Sequence, residues 1–321
     1  MHGGDQRHFG LVQKGAGLVN RFVFRALFGL LLLTAGSIAQ AQTRVLVTTP
    51  LGQFTIQLFP QDAPGTVANF LEYVSSGAYD GSFVHRSETS PTPFVIQGGW
   101  LKLDEATNTA NPIAPRPNIK NEFKRSNVRG TVAMAKVAGD PDSANSQWFV
   151  NLADNSFLDS SNGGFTVFGQ IDAAGMAVVD AISRLPTANL NASLPTTPVI
   201  NYTAPPLRNA NLVTVTMVPV ASHALNPTTG QIDIQVDAGS AGRLAVSLNI
   251  VSLAPQGIIQ VDSTKVRPLT GNVSNLATFT ESDNLLRIPE LWVDGVVGYR
   301  NVVFRLTDAE TFRFTLVSFE Q

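Results

Sequence analysis

Few residues in this chain are equipped for covalent chemistry. Cysteine is absent, which removes thiolate catalysis and Cys-based metal sites. Of the four histidines only His85 and His223 lie beyond residue 41, so neither a His-rich metal site nor a Ser-His-Asp triad is expected. No metal or cofactor is expected either. What remains is one arginine and two amides set among aromatic residues. Arg86 ends VHR (84–86), Gln97 sits in FVIQGG (94–99), and Gln147 opens the run QWFVN within 146–151. Further apolar blocks follow as GTVAMA (130–135), FLD (157–159) and FTVFG (165–169). A guanidinium is a fixed, permanently charged donor fork. Beside an apolar seat it suits electrostatic and shape complementarity to a strained ligand, with no nucleophile and no proton relay. Taken singly, such an arginine is a solvated charge, such a Gln a surface residue, and such aromatics ordinary core.

Together, in this order and spacing, the six blocks resemble the cyclophilins, the prolyl cis–trans isomerases, from about Val45 to Val220. The resemblance implies a closed eight-stranded antiparallel barrel capped by two helices. It assigns Arg86 and Gln97 to catalysis. Substrate contacts would come from Phe94, Val95, Met134, Ala135, Lys136, Gln147, Phe149, Phe157, Leu158 and Phe165, with Ala135 and Lys136 offering backbone groups. His85 is expected to be structural and to point away from the cleft. Gly98 and Gly99 are expected to serve backbone geometry. The ligands implied are proline-containing peptides and unfolded exported proteins.

The chain departs from the family at several positions. Val84 replaces a Phe, Val95 a Met, Lys136 the commoner Asn, and Phe165 the usual pocket His. Phe157 stands where some members carry the Trp that helps bind cyclosporin, so weak inhibition is expected. Eight residue steps separate Arg86 from Phe94, against five in the family. The insertion either bulges out and spares the site, or shifts Arg86. Glu88 is near enough in sequence to pair with Arg86 and blunt it. An isomerase predicts Arg86 in the pocket beside Phe149. A weakly active binding module or chaperone on the same scaffold predicts Arg86 paired with Glu88.

The elements that must hold these residues are mostly short strands. Val45 and Val47 alternate, as do Phe54, Ile56 and Leu58, around a Pro-Leu-Gly turn. A helix is expected after Asp62 as N-cap, with Pro64 in its first turn, Val67, Phe70, Leu71 and Val74 at helical spacing, and Gly77 ending it. A second spans about 175–185, with Met176, Val179 and Ile182 on one face. Residues 186–211 read as a long loop before a closing strand at 212–218. The expected domains are 42–220, a linker at 221–230, and a small all-β domain at 231–321 with no catalytic signature. The whole is therefore mainly β.

Residues 1–41 read as a signal peptide with an extended n-region. Arg21 and Arg25 precede the apolar run 26–38, and Ala39-Gln40-Ala41 supplies small residues for cleavage. That run is short for a membrane span, so no stable insertion is expected after cleavage, and the expected location is periplasmic or secreted; the rival reading is an uncleaved N-terminal anchor. The segment carries four basic residues and one acidic residue, so its loss moves the formal net charge from −2 to −5. An acidic balance argues against nucleic acid as a partner. The mature protein is expected to be a monomer whose core, unaided by disulfides, holds the fold.

Overall fold

A computed structural model describes residues 43–226, 229–293 and 296–321. The signal-peptide reading lies outside the described residues. Two compact units emerge, one of residues 42–221 with 270–275, the other of 222–269 with 276–321.

The first unit opens with the expected hairpin, Arg44–Thr49 and Gly52–Leu58, in which Val47 pairs with Phe54 and Val45 with Ile56. These residues face the core at 0–3% exposure, as strict alternation requires. The sheet they begin contains eleven antiparallel strands. Its order is Arg86–Glu88, Val95–Gly98, Trp148–Asn151, Thr131–Met134, Val167–Ile171, Gly52–Leu58, Arg44–Thr49, Thr214–Val220, Ser82–Phe83, Leu101–Asp104 and Thr109–Pro112. The count exceeds the eight expected, and two of its strands follow interruptions in the chain. The chain between 82 and 88 is interrupted at Val84 and His85, whose N–H groups donate to Val213 and Gln97 respectively. Residues 95–104 are interrupted at Gly99 and Trp100.

Two α-helices pack against this sheet's core. Helix α1 is Pro64–Ser75, with Val67, Phe70, Tyr73 and Val74 buried. Asp62 is not its cap. Ala63 occupies that position, while Asp62 accepts from Arg125 Nε at 2.6 Å. The free helix N–H groups go instead to Glu122, which accepts from Gly65 N at 3.0 Å and Thr66 N at 2.8 Å. A distant carboxylate satisfies both the orphan donors and the positive end of the helix. Gly77 follows the helix at φ +67°, the left-handed turn that suits glycine. Helix α2, Ala173–Ser183, starts two residues earlier than expected because Asp172 caps it, accepting from Gly175 N at 2.7 Å. Met176, Val179 and Ile182 form its buried face.

The second unit contains a closed ring of seven strands. Gln231–Asp237 pairs with Ala277–Thr280, which leads through Leu285–Val293, Val296–Asp308, Arg313–Glu320, Ile258–Val261 and Arg243–Ser252 back to Gln231–Asp237. Only the pair of Gln231–Asp237 with Ala277–Thr280 is parallel within this ring. Its interior is filled by Ile234, Val246, Leu248, Ile288, Val302 and Phe304 among others. Residues 221–230, expected as a linker, include the strand Ala224–Asn226, which joins this sheet.

Candidate active-site cleft

Adjacent strands of the first unit bring the predicted residues together. Arg86 pairs in register with Gln97, and Gln97 with Phe149. Residues from three adjacent strands thus line one side of a cleft of about 220 Å³. Its walls are Arg86, Phe94, Val95, Gln97, Ala135, Lys136, Phe149, Leu158 and Phe165. Beneath it a small apolar cluster of Val95, Ala133, Phe149, Leu158 and Val167 is separate from the main core. Phe149 and Phe165 meet edge-on, ring centroids 5.8 Å apart.

Met134 is not in this wall. It is fully buried in the main core with Val132. Successive strand residues face opposite sides, so Ala133 and Ala135 take the cleft side and Met134 the other. Phe157 also lies outside the wall. It is 58% exposed on a single 3₁₀ turn, Ser156–Asp159, and stacks on Phe94 at 5.7 Å. Gln147 is one step removed, joined to the wall through Gln97.

The polar side of the cleft is a chain of hydrogen bonds. Gln97 Nε2 donates to Gln147 Oε1 at 2.9 Å. Gln97 Oε1 accepts from Arg86 Nη1 at 3.2 Å. Arg86 Nε donates to Glu88 Oε1 at 3.2 Å. Among the described residues Arg86 Nη2 has no partner, while the guanidinium carbon lies 5.9 Å from the centre of the Phe94 ring. Arg86 therefore does both things posed above, lining the cleft beside Phe149 and pairing with Glu88.

The insertion takes the bulged form. Phe94 N donates to Glu88 O at 2.9 Å, closing residues 89–93 into a loop whose residues 90–93 are exposed. The ladder below it keeps its register. Phe94 is then fixed from behind, its carbonyl accepting from Leu152 N at 2.9 Å and Asn155 Nδ2 at 3.0 Å. Asn155 in turn donates to Asn151 at 2.8 Å, and Asn151 to Thr131 Oγ1 at 2.8 Å. This buried amide relay was not anticipated. Its only trace in sequence is the spacing of two asparagines just after the SQWFV run. Thr196 was also missed, because it comes from the 186–211 segment that reads as plain loop. Its hydroxyl donates to Glu88 Oε1 at 3.1 Å.

Lys136 uses its ammonium structurally, donating to the carbonyls of Asn162 at 2.7 Å and Gly164 at 2.6 Å above the Phe165 ring. Burial lowers its pKa. The Ala135 N–H is taken by Gln147 O at 2.9 Å. His85 points away from the cleft, edge-on to Trp100 at 5.3 Å. Burial first, and the Arg86 charge second, lower its pKa from 6.5 to about 4, so it is neutral near pH 7. Gly98 and Gly99 lie against Trp148. A Cβ on Gly98 would come within 2.7 Å of the indole, and Gly99 adopts φ +82°. No cluster of three or more metal-ligating side chains occurs among the described residues.

A family model described as cyclophilin type peptidyl-prolyl cis-trans isomerase matches residues 44–204. Peptidyl-prolyl cis-trans isomerase A of Dickeya dadantii is 37% identical over 195 residues, 58% of this chain and 97% of that protein. A peptidyl-prolyl cis-trans isomerase of Acinetobacter baylyi is 40% identical over 167 residues, 50% of this chain and 84% of that protein. A cyclophilin crystal structure from Cryptosporidium parvum, determined in the presence of the dipeptide Ala-Pro, aligns with a TM-score of 0.40 at 21% identity, covering 55% of this chain and 97% of that one.

Proposed function

The chain belongs to the cyclophilin-type peptidyl-prolyl cis–trans isomerase family, and from that premise we propose that its cleft catalyses X-Pro isomerisation through Arg86. The uncatalysed barrier is about 18–20 kcal/mol and arises from loss of amide resonance as the C–N bond twists. The twisted nitrogen regains a lone pair, which a fixed N–H donor stabilises more than it stabilises the planar amide. That difference is what lowers a barrier. Phe94, Val95, Phe149, Leu158 and Phe165 form the seat for the proline ring, and Gln97 and Gln147 grip the backbone around it. The observation that carries the reading is the Arg86 fork. It is anchored at Nε and Nη1, with Nη2 left for a ligand at the edge of an apolar seat.

The reading takes the first unit's sheet as an eight-stranded closed barrel, with 82–88 and 95–104 each one bent strand and Thr109–Pro112 an added hairpin arm. The opposite directions of the Val84 and His85 N–H bonds support it. It further takes the natural substrates to be unfolded or loop prolines of exported proteins, met in the periplasm or outside the cell by a monomer. The signal-like order of residues 21–41 supports export. A second reading, a binding module with a blunted arginine, is favoured by one observation, the Arg86–Glu88 pair. An exchange assay on a short Ala-Pro peptide separates them. The proposal expects the protein to accelerate cis–trans exchange at catalytic concentration. Peptide binding without acceleration favours the binding module.

A further inference from the structure

The Arg86–Glu88 pair invites the question of what the carboxylate does there. As an ion pair it contributes little to stability, because its side chains are 41% and 29% exposed and such pairs are screened by water. Its geometry is more informative. A single oxygen, Glu88 Oε1, accepts from both Arg86 Nε and Thr196 Oγ1, at 3.2 and 3.1 Å. Thr196 is itself pinned, its carbonyl accepting from Ser87 N at 2.9 Å. Next to it, Thr197 Oγ1 donates to His85 O at 2.9 Å. Glu88 is thus held by a segment more than a hundred residues away, and its backbone is held in register opposite Val95.

Two anchors on a planar fork define the plane. Glu88 takes Nε and Gln97 takes Nη1, which fixes the guanidinium plane beside the cleft that Arg86 lines and leaves Nη2 without a partner among the described residues. An unanchored exposed arginine samples many rotamers, and ordering it would oppose stabilisation of the twisted amide in the transition state. The geometry points to Glu88, braced by Thr196, as a positioning residue that pre-sets Arg86 for the twisted amide. The carboxylate next to the catalytic arginine then orients it and does not disable it. This rests on the isomerase reading of the cleft.

The test compares the full wild-type protein with E88A, E88Q and T196V in Ala-Pro peptide exchange, together with the Arg86 Nε–H NMR signal, assigned by its absence in R86A. E88A is expected to lower kcat about tenfold with KM little changed, and E88Q about threefold, since a neutral acceptor gives roughly half the strength of a charged one. T196V is expected to fall between wild type and E88A. The Nε–H signal should be protected from solvent exchange in wild type, less in E88Q, and lost in E88A. An E88A protein as fast as wild type, or faster, overturns the positioning role, as does an Nε–H signal equally protected in both. Wild-type protein that leaves the peptide's exchange rate unchanged overturns the isomerase reading instead, and the Nε–H signal still decides whether Glu88 holds the arginine.

Discussion

Both units of this protein are built largely from antiparallel strands around an apolar interior, yet among the described residues they differ in what lines their apolar pockets. In the first unit the chain Glu88–Arg86–Gln97–Gln147 runs along the edge of an apolar cleft of about 220 Å³. The second has an apolar pocket of about 80 Å³ lined by residues such as Ile250, Leu291, Tyr299, Phe304 and Phe319. Among the described residues, the buried side-chain atoms without a hydrogen-bond partner make the same division. His85 Nδ1, Ser87 Oγ and Trp148 Nε1 all belong to the first unit, on or beside the strands that carry the cleft. Unpaired buried polar groups cost stability and tend to gather where function demands them. The contrast shows that the β scaffold alone does not make a site. An apolar seat becomes one when a donor is held at its rim.

Substitutions that damage one unit should therefore leave the other's property alone. The largest effect is expected from Phe304→Ala, which empties the interior of the seven-stranded barrel, where Phe304 is 5% exposed. It should destabilise that unit by about 3–5 kcal/mol while isomerisation, a property of the other unit, stays within about twofold of wild type. Calorimetry with the peptide assay checks both, and lost activity in a folded variant would break the comparison. Phe149→Ala should do the reverse. It removes the floor of the cleft and should lower kcat/KM by about a hundredfold, the penalty for roughly 1 Å of substrate misplacement. Its cost in stability should be at the low end of about 3–5 kcal/mol, because Phe149 sits in the small cluster apart from the main core.

A smaller effect should appear with pH. His85 has its folded pKa lowered from 6.5 to about 4, chiefly by burial. Unfolded chains bind its proton below about 6.5 and folded ones do not until about 4. Its contribution is thus fully present above pH 6.5 and is lost as pH falls toward 4, amounting to at most about 3 kcal/mol. Melting temperature measured from pH 7 to 4 should fall more steeply in wild type than in His85→Leu. Parallel curves would show that His85 is not the group responsible.

The fold was readable where pattern alone decides it. Alternation placed Val45, Val47, Phe54 and Ile56 correctly on the core side, and helical spacing found the buried faces of both helices. The walls of the cleft were readable because their residues lie in contiguous blocks. What escaped depended on partners far along the chain. Asp62 looked like a helix cap, but Glu122 reaches the helix first. Met134 sat in a matching block, but strand parity turned it into the core. Thr196 reaches Glu88 across 108 residues and Asn155 reaches Phe94 across 61, distances at which local pattern carries no signal. The insertion after Arg86 was visible in sequence. That it would spare the ladder was not, since the outcome turned on one backbone bond from Phe94 to Glu88.

The central claim is that Arg86 supplies the donor that lowers the barrier. The most direct test is cis–trans exchange of an Ala-Pro peptide by wild type and Arg86→Ala at equal concentration, with circular dichroism to confirm folding. Arg86 is partly exposed, so the variant should melt within about 1 kcal/mol of wild type. The account predicts that its kcat/KM falls by about a hundredfold or more, as when one preorganised donor is removed from a transition state. A folded Arg86→Ala protein that isomerises the peptide as fast as wild type would contradict it.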